Sequence, residues 1–546
     1  MKKNTFMQGA FVATIGIVIT KIIGILYVIP FYAIIGEKGG ALYAYAYNIY
    51  GLFLGIATVG LPLATSKLVS EYNALGYYYS KERVFKLGKK VITIMAVLIF
   101  LLLIILAPYI AYLIIGDIEG GNTIQDTAFV IRTISLSILV VPVLSISRGY
   151  LQGHRYITPT SISQVIEQIV RVIVIILGSY LAIKIFDIGV TNAVAIAVLG
   201  AFIGSIASYL YLYYKVQRNY QDLNRECEIT RAEKNLTDSK IIKQLLTYAA
   251  PFIIVGISKN LYNSIDIVTL VRTLVNGLNY KIEVAESVLS VISTWGYKLN
   301  MIVVSISTGL IVSLIPNLSS SFITNNITDV RRKVNKALQI LLYLTIPMTV
   351  GLSFLAKPIW TIFYGSNKWG PIVFSYSIFT ALFLALFTTI ISMLQSANKY
   401  KQVAICLTLG LLTKIILNIP LIYSFNKLGI YAFYGAITAT ICGYLLASIL
   451  GLRYLAKDFN ISYEDTIHNL FKIVIITILM VIVLSLLKLV IPINASSRLI
   501  CIAIAVLYSL VGGFVYIFVS SKNKLINDIF GDNIKKMILT KLGIIK

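Results

Sequence analysis

The sequence predicts an all-α integral membrane protein of fourteen transmembrane helices, arranged as two six-helix lobes followed by one further pair. Three observations carry that expectation. First, 58% of the 546 residues are hydrophobic, 13% are charged and the mean hydropathy is +0.86, whereas soluble domains run nearer one half apolar and one quarter charged. Second, the apolar residues fall in runs of about 18 to 28 between short polar connections, long enough to cross ~30 Å of hydrocarbon as helices; barrel strands would be shorter and alternating. Third, with the N-terminus taken as cytoplasmic, about two thirds of the 47 Lys and Arg fall on inner segments. That asymmetry places both termini in the cytoplasm.

The first run starts near Phe11. It is too long for a signal peptide, has Lys21 near its centre and lacks a small-residue cleavage site, so it reads as a retained helix. The second starts near Leu42 and ends in GLPLATSKLVSEY, where Pro62 breaks a Gly-rich apolar helix. Runs near Gly88, Asp126, Thr160 and Thr191 complete a lobe over residues 1–216, and a cytoplasmic linker, 217–239, follows. Runs near Ile241, Glu286, Ala337, Trp369, Val403 and Gly429 make the second lobe, 240–456. The last two, near Phe471 and Arg498, lie with a cytoplasmic tail in residues 457–546.

An internal repeat supports the two lobes. A shift of 243 places LQGHRY (Leu151–Tyr156) on LQSANK (Leu394–Lys399) and IVRVIVII on LTKIILNI, so that Arg171 falls on Lys414. A shift of 238 pairs Lys21 with Lys259, and GLPLATSKLVSEY matches GLIVSLIPNLSSSF from Gly309. Both lobes would start in the cytoplasm, so the repeat is expected to be parallel. The final pair of helices has no counterpart.

Charge inside the apolar runs is the main functional signal. Lys21, Arg132, Glu167, Arg171, Lys259, Asp266, Lys298 and Lys414 fall within them. Together they would cost on the order of 20 kcal/mol unless they face water or one another. Glu167 and Arg171, four residues apart, are expected to neutralise each other on one helix face. Gln164, Glu167, Gln168 and Arg171 form a polar stripe of the kind that borders a wet cavity, and Lys259, Asn263 and Asp266 form a second. Lys259 and Asp266 would pair if their helix bends. For Lys21 and Lys298 two readings stand: a water-filled substrate cavity, or snorkelling to the interface. Arg132 and Lys414 are likewise candidates for substrate binding; the other reading of Arg132, near a helix end, is contact with outer headgroups. An excess of buried positive charge favours an anionic substrate such as a phosphate group.

The formal charge of +25 is explained by topology and anionic lipid headgroups, so no nucleic-acid role is expected. Cys227 lies in the linker, and Cys406, Cys442 and Cys501 lie in separate helices, which gives neither a disulfide framework nor a metal spacing. His154 and His468 belong to no zinc or nucleophile motif, and no phosphate-cradling Gly loop is present. The chain does not read as an enzyme, and no cofactor is expected.

The segments IVITKIIGILYVIPFY, GGALYAYAYNIYGLFLGIATVGLPLATSKLVSEYN and SRGYLQGHRYITPTSISQVIEQIVRV resemble the MurJ-type lipid II flippases of Gram-positive bacteria and their sporulation relatives, in the MATE-like (MOP) exporter superfamily. The resemblance covers essentially the whole chain. It implies a two-lobed transporter of the bacterial cytoplasmic membrane that carries an undecaprenyl-pyrophosphate-linked peptidoglycan precursor to the outer leaflet by alternating access. It also implies a basic cavity residue at Lys21 and another at or beside Lys298. Further basic positions of the family appear here as Tyr27 or Val28 and as uncharged residues, for which Arg171 or Lys259 would compensate. The final two helices resemble those that border a groove for the lipid tail. Asp266 is a candidate for Na+ or H+ coupling, and the expected partners are the lipid-linked substrate, membrane lipids and cell-wall synthesis proteins. The alternatives are a flippase for another lipid-linked oligosaccharide, a MATE-type multidrug exporter, which acidic cavity walls would suit better, and a non-transporting scaffold.

Overall fold

In a bilayer core no water satisfies backbone polar groups, so a chain of this composition must bond its own amides along helices. The computed structural model describes residues 12, 16, 19–58, 60–116, 121–154, 156–218, 237–323, 326–493 and 497–530, and among these residues there is no strand. A helical stretch at 19–26 leads into α1 (Val28–Thr58). In chain order follow α2 (Gly60–Leu75), α3 (Tyr78–Ile115), α4 (Ile124–Gly153), α5 (Ile157–Tyr180), α6 (Val190–Arg218), α7 (Asp238–Arg272), α8 (Ile282–Ser290) and α9 (Gly296–Ile323). Then come α10 (Ile327–Phe354), α11 (Ala356–Tyr364), α12 (Trp369–Ser377), α13 (Phe379–Ser396), α14 (Tyr400–Lys427), α15 (Phe433–Phe459), α16 (Glu464–Val490), α17 (Arg498–Lys522) and α18 (Leu525–Phe530).

Among the described residues, twelve helical stretches are long and apolar enough to cross a membrane, which is consistent with the expected fourteen. The seventh expected run corresponds to α7, a helix of 35 residues. The first corresponds to the 19–26 stretch and the head of α1, and most of its earlier residues lie outside those described. The break between the first and second runs is a single glycine. Gly36 adopts φ 66° and ψ −168°, a conformation closed to most L side chains, so two helices meet there without a longer loop.

By its contacts the chain forms two compact units, residues 1–290 and 291–546. In the first, Leu61, Leu68, Ile92, Leu144, Leu212 and Leu245 are all buried in one cluster drawn from α2, α3, α4, α6 and α7. The lobe limits expected from sequence follow the internal repeat. The units follow packing, which gathers α7 onto α1, α2 and α3. Large apolar side chains such as Leu98, Ile105, Leu489 and Leu499 point outward, as they must where the solvent is lipid.

Several element boundaries repeat across the chain. Adding 243 to 153, 157 and 190, which end α4, start α5 and start α6, gives 396, 400 and 433, which end α13, start α14 and start α15.

Candidate functional site

In the first unit the polar stripe of α5 becomes a charged cluster. Glu167 and Arg171 meet as their spacing predicts, Oε1 receiving from a guanidinium nitrogen one turn away. The other carboxylate oxygen, Oε2, receives from Arg148 of α4 at 2.9 Å. One carboxylate therefore joins two guanidiniums from two helices. All three side chains are mostly enclosed, with 12% exposure for Arg148 and Glu167 and 17% for Arg171. Sharing the carboxylate removes most of the penalty of burying these charges and leaves a net charge of +1.

Small residues permit this arrangement. A Cβ on Gly204 of α6 would lie 2.6 Å from the Glu167 carbonyl oxygen, and one on Gly200 would lie 2.8 Å from that of Arg171. Only glycine lets α6 approach α5 so closely along the turn that carries both charges. Arg148 is then fixed by two serines, donating from Nε to Ser163 Oγ at 2.8 Å and from NH2 to Ser208 Oγ at 2.9 Å. Ser208 in turn donates to the Ser163 carbonyl at 2.8 Å, which closes the network across α4, α5 and α6.

The cluster opens onto tyrosines. Arg171 NH1 lies 3.5 Å from the Tyr47 hydroxyl, and Tyr47 stacks on Tyr43 with centroids 5.0 Å apart. The Tyr43 hydroxyl lies 3.3 Å from that of Tyr27, which with Val28 is one of the two positions where the resemblance implies a lost basic residue. Nearby on α1, Asn48 accepts from Asn263 at 3.4 Å, and Asn260 donates to the Gly51 carbonyl at 2.7 Å, so amide side chains of α7 meet α1 there. Hydroxyls, amides and guanidiniums of this kind form a hydrogen-bonding wall suited to sugar and phosphate oxygens.

The other predicted residues have separate settings. Lys21 is half-buried on the 19–26 stretch, and Asp266 is buried on α7. Lys259 has its side chain outside the described residues. Arg132 is exposed, its Nε donating to the Ile104 carbonyl at 3.2 Å.

In the second unit Lys298 lies on the first turn of α9, its ammonium 4.9 Å from the centroid of the Trp295 ring. A widened turn at Val291–Trp295 precedes it. Such turns disturb the regular carbonyl pairing of a helix, and the Trp295 carbonyl receives the Tyr364 hydroxyl at 2.8 Å. Lys414 is fully enclosed, donating to Asn418 Oδ1 and to the Ala436 carbonyl, each at 2.8 Å. A separate apolar cavity of about 370 Å³ runs beside α10, α16 and α17, walled by Pro347, Met348, Met480, Leu484, Tyr508 and Gly512.

Sequence reasoning missed two charged residues. Arg148 sits in SRGYLQGH, at the inner end of its run, and its partner is on another helix; spacing along one helix could not reveal it. Glu286 was placed at the edge of a run, yet it is only 5% exposed. Its Oε1 receives from the Tyr45 hydroxyl at 3.1 Å and from the Asn122 backbone at 3.2 Å, joining α8 to α1 and to the start of α4.

The family described as "Polysaccharide biosynthesis protein" matches residues 6–322. The chain is 34% identical over 537 residues to a Bacillus subtilis (strain 168) protein named "Lipid II flippase MurJ", covering 97% of each chain. It is 27% identical over 213 residues to "Stage V sporulation protein B" of the same organism, covering 39% of each. Its fold matches a solved structure of "Lipid II flippase MurJ, inward closed conformation" with a TM-score of 0.66 at 17% identity, covering 94% of this chain and 99% of that one. It also matches an inward-facing MATE family multidrug resistance transporter of the MOP superfamily, with a TM-score of 0.61 at 13% identity, covering 82% of this chain and 98% of the other. Matched along more than half its length by the family and along nearly all of it by the Bacillus subtilis relative, the chain belongs to the polysaccharide biosynthesis protein family.

Proposed function

We propose that this protein is a lipid II flippase of the bacterial cytoplasmic membrane, moving an undecaprenyl-pyrophosphate-linked peptidoglycan precursor from the inner to the outer leaflet by alternating access. The observation that carries the reading is the likeness, over almost the full length of both chains, to the Bacillus subtilis lipid II flippase. The site chemistry agrees with it. A diphosphate needs cationic donors in a partly dehydrated setting, and the Arg148–Glu167–Arg171 cluster retains net positive charge beside a wall of tyrosines and asparagines. A polyprenyl tail needs an apolar channel, and the cavity beside α16 and α17 has that lining.

The residues proposed to contact the diphosphate are Lys21, Arg171, Lys259 and Lys298. Asp266 is proposed as a coupling site for Na+ or H+, and both termini as cytoplasmic. Replacing Lys21 and Lys298 together by alanine is expected to abolish flipping while the protein remains folded and inserted. Full activity in that double variant would remove them from the site. The function itself is tested by complementing a strain depleted of its own lipid II flippase and measuring precursor at the inner leaflet. Growth without clearance of the precursor would overturn the assignment.

A second reading, a flippase for another lipid-linked oligosaccharide, is favoured by the family's description as polysaccharide biosynthesis proteins. The same cationic wall would serve any polyprenyl diphosphate.

A further inference from the structure

A second polar cavity, of about 550 Å³, lies in the second unit away from the apolar one, at the start of α10 and of α16 beside the short helix α18. Its walls carry Arg331, Arg332, Lys336 and His468 against Asp465 and Asp528. Two of these groups have structural work. Lys336 donates to the carbonyls of Asp528 and Ile529 at 2.6 and 3.0 Å, capping α18, and the Asp528 carboxylate is met by Lys472 at 3.2 Å. Arg332 pairs with Asp329 at 2.8 Å, yet its side chain remains 74% exposed. Among the described residues Arg331 is held by Nε alone, which donates to the Phe459 carbonyl at 2.9 Å. That single bond orients the guanidinium and leaves its terminal nitrogens for a two-pronged contact with an oxyanion.

The position of this cavity identifies what kind of anion it suits. Gln339 of α10 lines it, and Tyr343, one turn further along the same helix, lines the apolar cavity; the two lie ~6 Å apart along the axis. Helix α16 likewise carries Asp465 and Asn469 at the polar cavity and Met480 and Leu484 at the apolar one. A cationic pocket at the head of a greasy channel along the same helices is the complement of a phospholipid. The end concerned is also the one that charge asymmetry places in the cytoplasm.

We propose that the pocket of Arg331, Arg332 and His468 is a binding site for the phosphate headgroup of an anionic membrane lipid. Two sources share that chemistry: a bilayer lipid such as phosphatidylglycerol, and a polyprenyl phosphate. The proposal concerns binding and does not depend on what the protein transports.

The test uses the purified full-length protein, titrated separately with phosphatidylglycerol, phosphatidylcholine, undecaprenyl phosphate and inorganic phosphate, with binding read by native mass spectrometry and by thermal shift. Phosphatidylglycerol or undecaprenyl phosphate is expected to bind at least about tenfold more tightly than phosphatidylcholine, and the tighter of the two identifies the source. Arg331→Gln should remove that preference. Because Arg331 also braces the Phe459 carbonyl, the double variant Arg332→Gln/His468→Gln, whose side chains make no such brace, should reduce it too while unfolding at the wild-type temperature. Equal binding of phosphatidylcholine, or an undiminished preference in both variants, would overturn the site. Inorganic phosphate binding as tightly as the lipids would overturn its assignment to a lipid.

Discussion

The hairpins α5–α6 and α14–α15 start at corresponding places in the two repeats and carry a basic residue at the same relative position, Arg171 in one and Lys414 in the other. Both rely on glycine for close packing. A Cβ on Gly204 would lie 2.6 Å from the Glu167 carbonyl oxygen, and one on Gly435 would lie 2.4 Å from that of Leu421. The fate of the charge differs. Arg171 shares a carboxylate with Arg148, keeps 17% of its side chain exposed and reaches a tyrosine hydroxyl. Lys414 is sealed in, its ammonium turned onto a side-chain amide and onto the carbonyl of Ala436 in the neighbouring helix. The same position thus serves as part of a polar wall in one repeat and as a clamp between helices in the other. A cation within an apolar run marks a place where charge must be satisfied; whether a substrate satisfies it depends on what the next helix offers.

The comparison breaks most sharply at Glu167. Glu167→Gln keeps the shape and leaves Arg148 and Arg171 buried without their shared counter-charge, a loss of about 3 to 5 kcal/mol for a broken buried network. Thermal unfolding in detergent should show a large drop in midpoint, with transport lost alongside. Wild-type stability in this variant would mean that water, rather than the carboxylate, compensates the two guanidiniums.

Gly204→Ala tests the same cluster through its backbone. The added methyl meets the Glu167 carbonyl, so α6 must withdraw, at a cost of about 1 to 3 kcal/mol. The withdrawal should weaken the Ser208 contact with Arg148 as well. A double variant with Glu167→Gln is therefore expected to lose less than the two single losses combined.

Lys414→Met should separate stability from transport. It removes the hydrogen bonds to Asn418 and Ala436 but also removes a buried charge, so the net loss is expected to be about 1 to 2 kcal/mol. Transport per folded molecule should remain near wild type, whereas Arg171→Gln should depress it. Equal transport defects in both would place Lys414 with Arg171 in the substrate path.

These contrasts also mark how far the sequence could be read. Membrane class, helical architecture and family resemblance were legible because apolar run length, basic asymmetry and the SRGYLQGHRY segment are properties of the chain itself. So was the Glu167–Arg171 pair, since four residues on a helix fix a distance. The role of Arg148, the burial of Glu286 and the enclosure of Lys414 were not, because each depends on a partner on another helix. The Ala436 carbonyl that receives Lys414 has no side-chain signature at all. Residues 22 positions apart are joined there by a backbone group that every sequence possesses.

Arg132 gives the smallest and most discriminating expectation. By sequence it counted among the eight intramembrane charges, on the same footing as Arg171. In the structure it is exposed, with Nε on the Ile104 carbonyl of α3, the acceptor that Pro108, four residues on and lacking an N–H, leaves unserved within that helix. An exposed arginine that supplies one hydrogen bond to such a carbonyl contributes modestly, so Arg132→Gln should change stability by no more than about 1 kcal/mol and leave flipping intact. Should Arg132→Gln instead impair transport without unfolding the protein, exposure at this position would have to mean contact with the substrate. The division drawn between Arg171 and Lys414 would then extend to a third class, cations that act from the lipid-facing surface.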